Sequence, residues 1–458
     1  MIIKDIKTVC DMAGGELINA SDESVLIRGV SKDTRTIEPG NLYIPIIGEQ
    51  FDGHDFIKSA EENGAVASLW QRSHKLPNVS IPLILVDNVL EAFHTLAMNY
   101  RLSLDVKVVA ITGSNGKTTT KDMMAGVLSR KYITAFNKGN ENNEIGVPLT
   151  LLNLSEDTEV AIVEMGTERF GEIIVLTNMA RPDVAIITNV GDSHLEELFT
   201  VQNVAKEKLD IVKGLPEDGI FIYNGDDEVL KTEVKATSIK QKILDYGFKD
   251  SNTYMIDNVN STGKGSTFTV NGVVYDLPLL GSYQVYNAAV SIGVAELFGI
   301  DVTGIQDGFY HVEKTGMRNE LIQLNDFDIL DDSYKSNPQN LVSALETLHL
   351  LTGYEKKIAV LGDMLGLGKD YERLHREIGQ KLKPSELDMV FLYGDSMKYT
   401  AEEAKANFGE SRVLHYNDKD ELFNELKKHI SGALVLVKGS RAMQMEDIIK
   451  LLKEYAQK

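Results

Sequence analysis

The chain has 458 residues, 43% hydrophobic and 25% charged, which is ordinary globular usage. At roughly 150 residues per domain, that length predicts about three domains. Lys plus Arg number 47 against 68 Asp plus Glu, a formal net charge of −21, and this argues against a general nucleic-acid binder, whose phosphate contacts need a basic stripe.

Cys10 is the single cysteine, so an intrachain disulfide and a cysteine-built zinc site are excluded, and the residue reads as a small buried hydrophobe. No uninterrupted apolar run approaches the roughly 18–20 residues of a membrane span. The first residues, MIIKDIKTVCDMAGGE, carry charge every few positions and lack a signal-peptide apolar region. The expectation is a cytoplasmic protein with no membrane insertion.

In chain order, Ser24–Val30, Asn41–Ile46 and Ile81–Val86 read as strands, and His54–Asn63 and Val89–Arg101 as helices. They form a small α/β unit. At Val106 the pattern changes. Val106–Thr112 (VKVVAIT) is an apolar β-branched run, expected of a buried parallel strand. A glycine turn and a helix over Lys117–Arg130 follow. Val160–Met165 and Val184–Val190 are further buried strands, Val201–Val212 is a helix, and the alternation reads as a doubly wound domain. Tyr254–Leu280 reads as strand and turn, with Asn271-Gly272 as a hairpin signal, and predicts an antiparallel extension of the central sheet. A helix over Val285–Leu297 closes this part.

Alternation resumes after Leu321. Strands are expected at Phe327–Asp331, Lys357–Leu361, Met389–Tyr393 and Ala433–Val437. Helices are expected at Gln339–Leu351, Tyr371–Leu382, Met397–Asn407, Lys419–His429 and Met443–Tyr455. The predicted fold class is α/β in three domains. These are a small α/β domain over 1–103, a central P-loop ATPase-like doubly wound domain over 104–316, and a Rossmann-like domain over 317–458.

The sharpest signal is Gly113-Ser114-Asn115-Gly116-Lys117-Thr118-Thr119, between a buried strand and a helix. Glycines let backbone N–H groups approach phosphate oxygens, and the helix N-terminus adds its dipole. Lys117 reaches the β/γ phosphates, and the Thr118 hydroxyl suits Mg²⁺. The usual GxxxxGK[ST] spacing puts its first glycine at Ile111, so this loop is a shortened variant.

Glu164 ends one strand and His194 follows another. Ligands of parallel sheets bind beyond such carboxyl ends, so a carboxylate and an imidazole there suit a divalent cation shared with ATP. Asn140–Pro148 is rich in amides, including Asn142 and Asn143. These serve turns, or they read an adenine edge or a substrate carboxylate. Asp331–Pro338 (DDSYKSNP), with Asp332, Tyr334 and Asn337, lies at another strand end. Arg318 at the domain junction either closes on the γ-phosphate or forms an interdomain salt bridge. On composition alone Lys208 reads as a solvated helix lysine.

Together these motifs resemble the Mur ligase family of peptidoglycan synthesis. GSNGKTT is similar to its ATP loop, VEMG and TNVGDSHLE to its magnesium-binding strand ends, and VAKEKLDIVKGLPEDG to the stretch with its carbamylated lysine, here Lys208. GSYQVYNAAVSIGVA resembles the adenine-side segment. Tyr283 and Gln284 replace its usual His-Asn, and Asn287 is retained.

Ser31-Lys32-Asp33-Thr34-Arg35 and Gly48–His54 resemble the uridine-nucleotide domain. Asn140–Pro148, Asp331–Pro338, Val360–Gly368 and Lys438-Gly439-Ser440-Arg441 resemble the D-alanyl-D-alanine-adding members. Gly366 departs from their usual Glu. The DNPR motif of the diaminopimelate-adding members is absent.

The resemblance implies an ATP-dependent amide ligase of peptidoglycan precursor synthesis. It would join D-alanyl-D-alanine to UDP-N-acetylmuramoyl-tripeptide through an acyl phosphate, as a monomer with two Mg²⁺ ions. It implies Lys117, Lys208, His194 and Glu164 as catalytic. ATP would contact Gly113–Thr119, Asn287, Arg318 and Asp332. Metal would contact Thr118, Glu164, His194 and the Lys208 carbamate. The uridine nucleotide would contact Ser31, Asp33, Thr34, Arg35 and Gly48. The dipeptide or substrate side would comprise Asn142, Asn143, Tyr334, Asn337, Lys438, Ser440 and Arg441. The alternatives are another amino-acid donor, as in third-residue or folylpolyglutamate-type ligases, and a nucleotide-binding switch without ligation.

Overall fold

The structure is a computed structural model that describes residues 1–20, 22–313 and 315–457. Three larger sheets lie within 16–86, 107–277 and 320–438, and a two-stranded one joins Ile3–Asp5 to Leu26–Arg28. The first has five strands in the order Glu16–Ile18, Leu83–Val86, Ala67–Gln71, Leu42–Tyr43, Val30–Ser31. Only Glu16–Ile18 runs antiparallel to its neighbour. The strand expected over Ser24–Val30 is divided. Gly29 turns at φ 77, so Leu26–Arg28 pairs with Ile3–Asp5 while Val30–Ser31 joins the larger sheet.

The central sheet has nine strands. Lys107–Thr112 lies between Val160–Glu164 on one side and Val184–Ile187 on the other, parallel to both. The chain passes from Lys107–Thr112 to one side and returns on the other, so a crevice opens at the carboxyl end of this strand. Tyr254–Thr262, Gly265–Val270 and Val273–Leu277 extend the far edge as the expected antiparallel hairpins. Asn271 and Gly272 both take positive φ, 49 and 80, as a two-residue hairpin turn demands.

The third sheet has six strands, parallel except for the edge strand Glu320–Gln323. Asp328–Asp332 leads into the helix Pro338–Leu350, which Asn337 starts with a reciprocal capping box to Asn340.

One hydrophobic core joins the first sheet's helices to a face of the central sheet. Ile6, Phe93 and Leu96 share it with Leu151, Leu176 and Met179. Cys10 is buried in it, as expected. The helix Val89–Leu102 crosses this junction. Its Tyr100 hydroxyl donates to the Leu154 carbonyl at 2.8 Å, and Arg101 donates to the carbonyls of Ala180 at 2.8 Å and Arg181 at 3.1 Å. No helix among the described residues is long and apolar enough to cross a membrane.

Arg101→Ala leaves two carbonyls of this junction without their donor, and an unmade buried hydrogen bond costs about 1–3 kcal/mol. We expect a lower Tm with the secondary structure retained. A Tm equal to the parent's contradicts the role given to Arg101.

Candidate active site

The loop after Lys107–Thr112 is shaped by close approach. A Cβ on Gly113 would lie 1.9 Å from Thr188 Oγ1, and one on Gly116 would lie 2.6 Å from Asn287 Oδ1. The Ser114 and Asn115 amides donate to the Asn189 carbonyl and side-chain oxygen, both at 2.9 Å, which clamps the loop to the neighbouring strand end. The helix Lys117–Leu128 then begins, and its first N–H groups have no intrahelical acceptor. A helix N-terminus with free N–H groups suits an anion, as the motif leads one to expect.

Lys117 Nζ donates to the Gly113 carbonyl at 2.6 Å, and burial pushes its pKa down against the pull of Glu164. Glu164 is 2% exposed. Its oxygens accept from the Thr118 hydroxyl and the Asn142 amide, both at 2.8 Å. Among the described residues it has no ion-pair partner. A buried carboxylate beside a hydroxyl, with no paired cation, is a hard-oxygen set that fits Mg²⁺.

His194 takes a left-handed backbone, φ 58 and ψ 30. Burial, then Lys335, Lys208 and Lys117, push its pKa down to about 2, so the ring is neutral. Lys335 Nζ lies 3.2 Å from His194 Nε2 and donates to it. Lys208 is buried rather than solvated. Its pKa is held well below the ordinary lysine value by burial and by Lys117 and Lys335. Burial and Lys117 push Lys335 down to about 7.

The third domain lies directly on the phosphate loop. Asn337 donates to Asn115 Oδ1 at 2.9 Å and to the Ser193 hydroxyl at 3.1 Å, while Asn115 donates to Gln339 at 2.9 Å. The linker turns through two left-handed residues, Met317 and Asn319, that bracket Arg318. The Arg318 guanidinium sits 4.2 Å over the Tyr334 ring, and its Nε is buried without an acceptor. Arg318 therefore faces the cavity and, among the described residues, forms no interdomain salt bridge. A cavity of about 1030 Å³ lies between the loop, Glu164, His194, Arg318 and Tyr334.

Several expected contact residues line the cavity and also make structural hydrogen bonds. Lys438 lines the cavity, and its Nζ donates to Asp332 Oδ2 at 2.6 Å and to the Lys335 carbonyl at 2.7 Å. Asp332 also accepts from the Asn319 amide at 3.2 Å, which ties the linker down. Asn143 accepts from the Gly146 amide at 2.9 Å, so of the readings left open for this segment it takes the turn. Asn142 instead orients Glu164. Asn287 accepts from Thr120 at 3.1 Å and braces Gly116 from behind.

Ser440 accepts from the Leu365 amide at 2.8 Å and holds the turn in which Gly366 has φ 73, a conformation suited to glycine rather than glutamate. Arg441 lines the cavity and pairs with Glu446.

Ser31, Asp33, Thr34, Arg35 and Gly48 lie on the first domain, outside this cavity. Ser31 donates to the Asp33 carbonyl at 2.9 Å, and Asp33 pairs with Arg35 within the same turn. Nearby, Asp52 joins His54 Nδ1 at 2.6 Å and His74 Nε2 at 2.8 Å, and the two rings stack at 4.0 Å. Their spacing suits a metal, but the Gln71 amide donates to His54 Nε2 at 3.3 Å, so Nδ1 must keep its proton. A metal on Nδ1 would move that proton to Nε2, against the amide. The cluster is a hydrogen-bonded clamp on the Gly48–Gly53 turn.

Family models match in chain order. The "Mur ligase family, catalytic domain" covers 26–101, the "Mur ligase middle domain" 111–295 and the "Mur ligase, glutamate ligase domain" 317–441. The chain belongs to the Mur ligase family. It is 41% identical over 458 residues to the UDP-N-acetylmuramoyl-tripeptide–D-alanyl-D-alanine ligase of Bacillus subtilis, covering 99% of each chain. To the Escherichia coli enzyme of the same name it is 33% identical, again covering 99% of each. The crystal structure of MurF from Acinetobacter baumannii superimposes with a TM-score of 0.89 at 25% identity, covering 99% of each chain. The MurF ligase of Thermotoga maritima, solved with ADP, gives 0.82 at 27%, covering 94% of this chain and 98% of that one. The three-domain Mur ligase fold expected from the sequence is the fold observed.

The sequence reading missed Lys335, Gln339 and Asn340 within this Mur ligase site. All three lie in or beside the DDSYKSNP segment, but nothing local marks which of its side chains cross to another domain.

Gly116→Ala places a side chain at φ 81 and against Asn287. Strain of this kind costs of order 1–3 kcal/mol, about one to two decades in affinity for ADP. Calorimetry measures it, and unchanged affinity contradicts the close-approach argument.

Proposed function

We propose that this chain joins D-alanyl-D-alanine to UDP-N-acetylmuramoyl-tripeptide at the expense of ATP. The supporting observation is a phosphate loop with Lys117, Thr118 and Glu164, covered by the third domain, in a chain matched end to end by ligases of that name. In this reading residues 1–103 hold the uridine nucleotide through Ser31, Asp33, Thr34, Arg35 and Gly48. Residues 104–316 hold ATP on Gly113–Thr119. Residues 317–458 receive the dipeptide near Tyr334, Asn337 and Arg441. Asp332, Lys438, Ser440, Asn142, Asn143 and Asn287 shape these surfaces. In this reading the chain works as a monomer in the cytoplasm, where ATP is supplied.

A carboxylate acylates poorly, and phosphorylation supplies its leaving group. The tripeptide carboxylate oxygen bonds to the γ-phosphorus while the bridging P–O bond breaks, its electron pair leaving on ADP. The dipeptide amine then attacks the carbonyl carbon, loses a proton, and phosphate departs. Such chemistry needs positioning and charge neutralisation rather than a protein nucleophile. Lys117 and Arg318 supply positive charge. The covered cavity keeps water from the acyl phosphate.

Mg²⁺ supplies further neutralisation of the phosphate oxygens when bound, and Thr118, Glu164, His194 and Lys208 as its carbamate are the residues that would hold it. Carbamylation needs an unprotonated amine, and the lowered pKa of buried Lys208 favours that form. The amine nitrogen bonds to the carbon of CO₂ and releases a proton, which exchanges a cation for an anion.

Phosphate release, with product mass, tests the activity when D-alanyl-D-alanine, lysine, diaminopimelate and glutamate are offered with UDP-muramoyl-tripeptide and ATP. Only the dipeptide is expected to give turnover and an amide product. Turnover with another amine instead, or nucleotide binding without product, overturns the reading.

Lys208→Ala is expected to fold and to lose nearly all turnover, with partial rescue by short carboxylic acids. Full turnover without rescue contradicts the carbamate.

A further inference from the structure

Five lysines lie in or near the central cavity, Lys121, Lys208 and Lys438 buried and Lys117 and Lys335 half-buried, and they divide into two kinds. Lys121 pairs with Asp122 at 3.3 Å and donates to the Asn137 carbonyl at 2.9 Å. Lys438 is paired with Asp332 at 2.6 Å. These two have the acceptors that a structural lysine needs. Lys117, Lys208 and Lys335 converge on one another, and among the described residues no carboxylate lies within ion-pair distance of them. Lys117 and Lys208 already have places in the ligase reading. Lys335 has none.

Lys335 is held firmly in place. Lys438 donates to its carbonyl at 2.7 Å, and two residues further on Asn337 fixes the turn against Asn115 and Ser193. The side chain then crosses from the third domain to the central one and spends a single N–H on His194 Nε2 at 3.2 Å. An ammonium has three donors, so two are left over. The charges that act on it are Lys117 of the phosphate loop and Arg318 of the linker, opposed by the carboxylates of Glu168 and Glu164, neither within ion-pair distance. Three cations from two domains and their linker thus face the space beyond the helix N-terminus at Lys117.

We infer that Lys335 grips the phosphoryl group as it passes from ATP to the substrate carboxylate, and that closure of the third domain delivers it. This rests on the ligase reading. The grip is two N–H···O hydrogen bonds to phosphoryl oxygens. Lys335 exchanges no proton, and the bond changes are those already given. A cation that arrives only with closure ties transfer to the shut, water-excluding state. The rival anion for the same amine is the dipeptide's own carboxylate, and the test separates the two.

The full chain is compared with Lys335→Met and Lys335→Arg. The parent must first show dipeptide-dependent phosphate release, since its absence defeats the ligase reading rather than this inference. Hydroxylamine added without dipeptide traps the acyl phosphate as a hydroxamate. Lys335→Met is expected to lower both turnover and hydroxamate yield about 10²–10³-fold, the usual loss for one preorganised donor. Its affinity for ADP and its KM for the dipeptide should stay at the parent's values. Lys335→Arg, which keeps the charge, should recover part of the loss. Turnover and hydroxamate yield equal to the parent's in Lys335→Met overturn the inference. So does a raised dipeptide KM at unchanged hydroxamate yield, and so does a loss of ADP affinity as large as the loss of turnover.

Discussion

Gathering the buried Lys208 and the half-buried Lys117 and Lys335 around one cavity is unfavourable while all three are ammonium ions. Each ammonium loses its hydration, each lies near the others, and the nearby Glu164 is committed to Thr118 and Asn142. The penalty for an unpaired buried ion is several kcal/mol even after relaxation. In the ligase reading the Lys208 carbamate and the polyphosphate together supply the missing charge. The acidic surface of the chain, with its net −21, makes this local inversion of sign the feature that selects the ligand.

The rest of the architecture serves to hold that cluster. The order of strands around Lys107–Thr112 opens the crevice, and close approach at Gly113 and Gly116 brings backbone N–H groups to its floor. The Asp332–Lys438 pair does two things at once. It fastens the linker through the Asn319 amide and fixes the turn that carries Lys335. A buried ion pair of this kind is weak evidence for stability. Its value here is positional, because both partners also bind backbone groups that must be placed accurately.

The three sheets are not equally joined. The first shares a continuous apolar core with the central one, so the first domain and the phosphate loop form a single body. The third meets the central domain mainly through amides and hydroxyls, Asn115, Asn337, Gln339 and Ser193, around a linker with two left-handed residues. Polar contacts of this sort exchange readily with water. They suit a domain that closes and reopens in each catalytic cycle.

Local chemistry determined much of this in the sequence itself. A β-branched run before Gly113–Thr119 reads as a buried strand feeding a helix through a glycine turn, which is what forms, and Asn271-Gly272 signals a hairpin because both positions take positive φ. Strand-end placement made Glu164 and His194 legible for the same reason. Short pairings were not legible. Ser24–Val30 reads as one strand, and only its two partners decide that Gly29 divides it. Ala67–Gln71 lacks the alternation of a half-exposed strand because both of its faces are buried. Tertiary structure also decided which polar side chains face the ligand. Lys438 and Lys335 lie on adjoining segments and look alike in sequence. One is neutralised by Asp332 and the other reaches His194, because a lysine's role is set by the charges brought beside it through space, and those come from residues more than a hundred positions away.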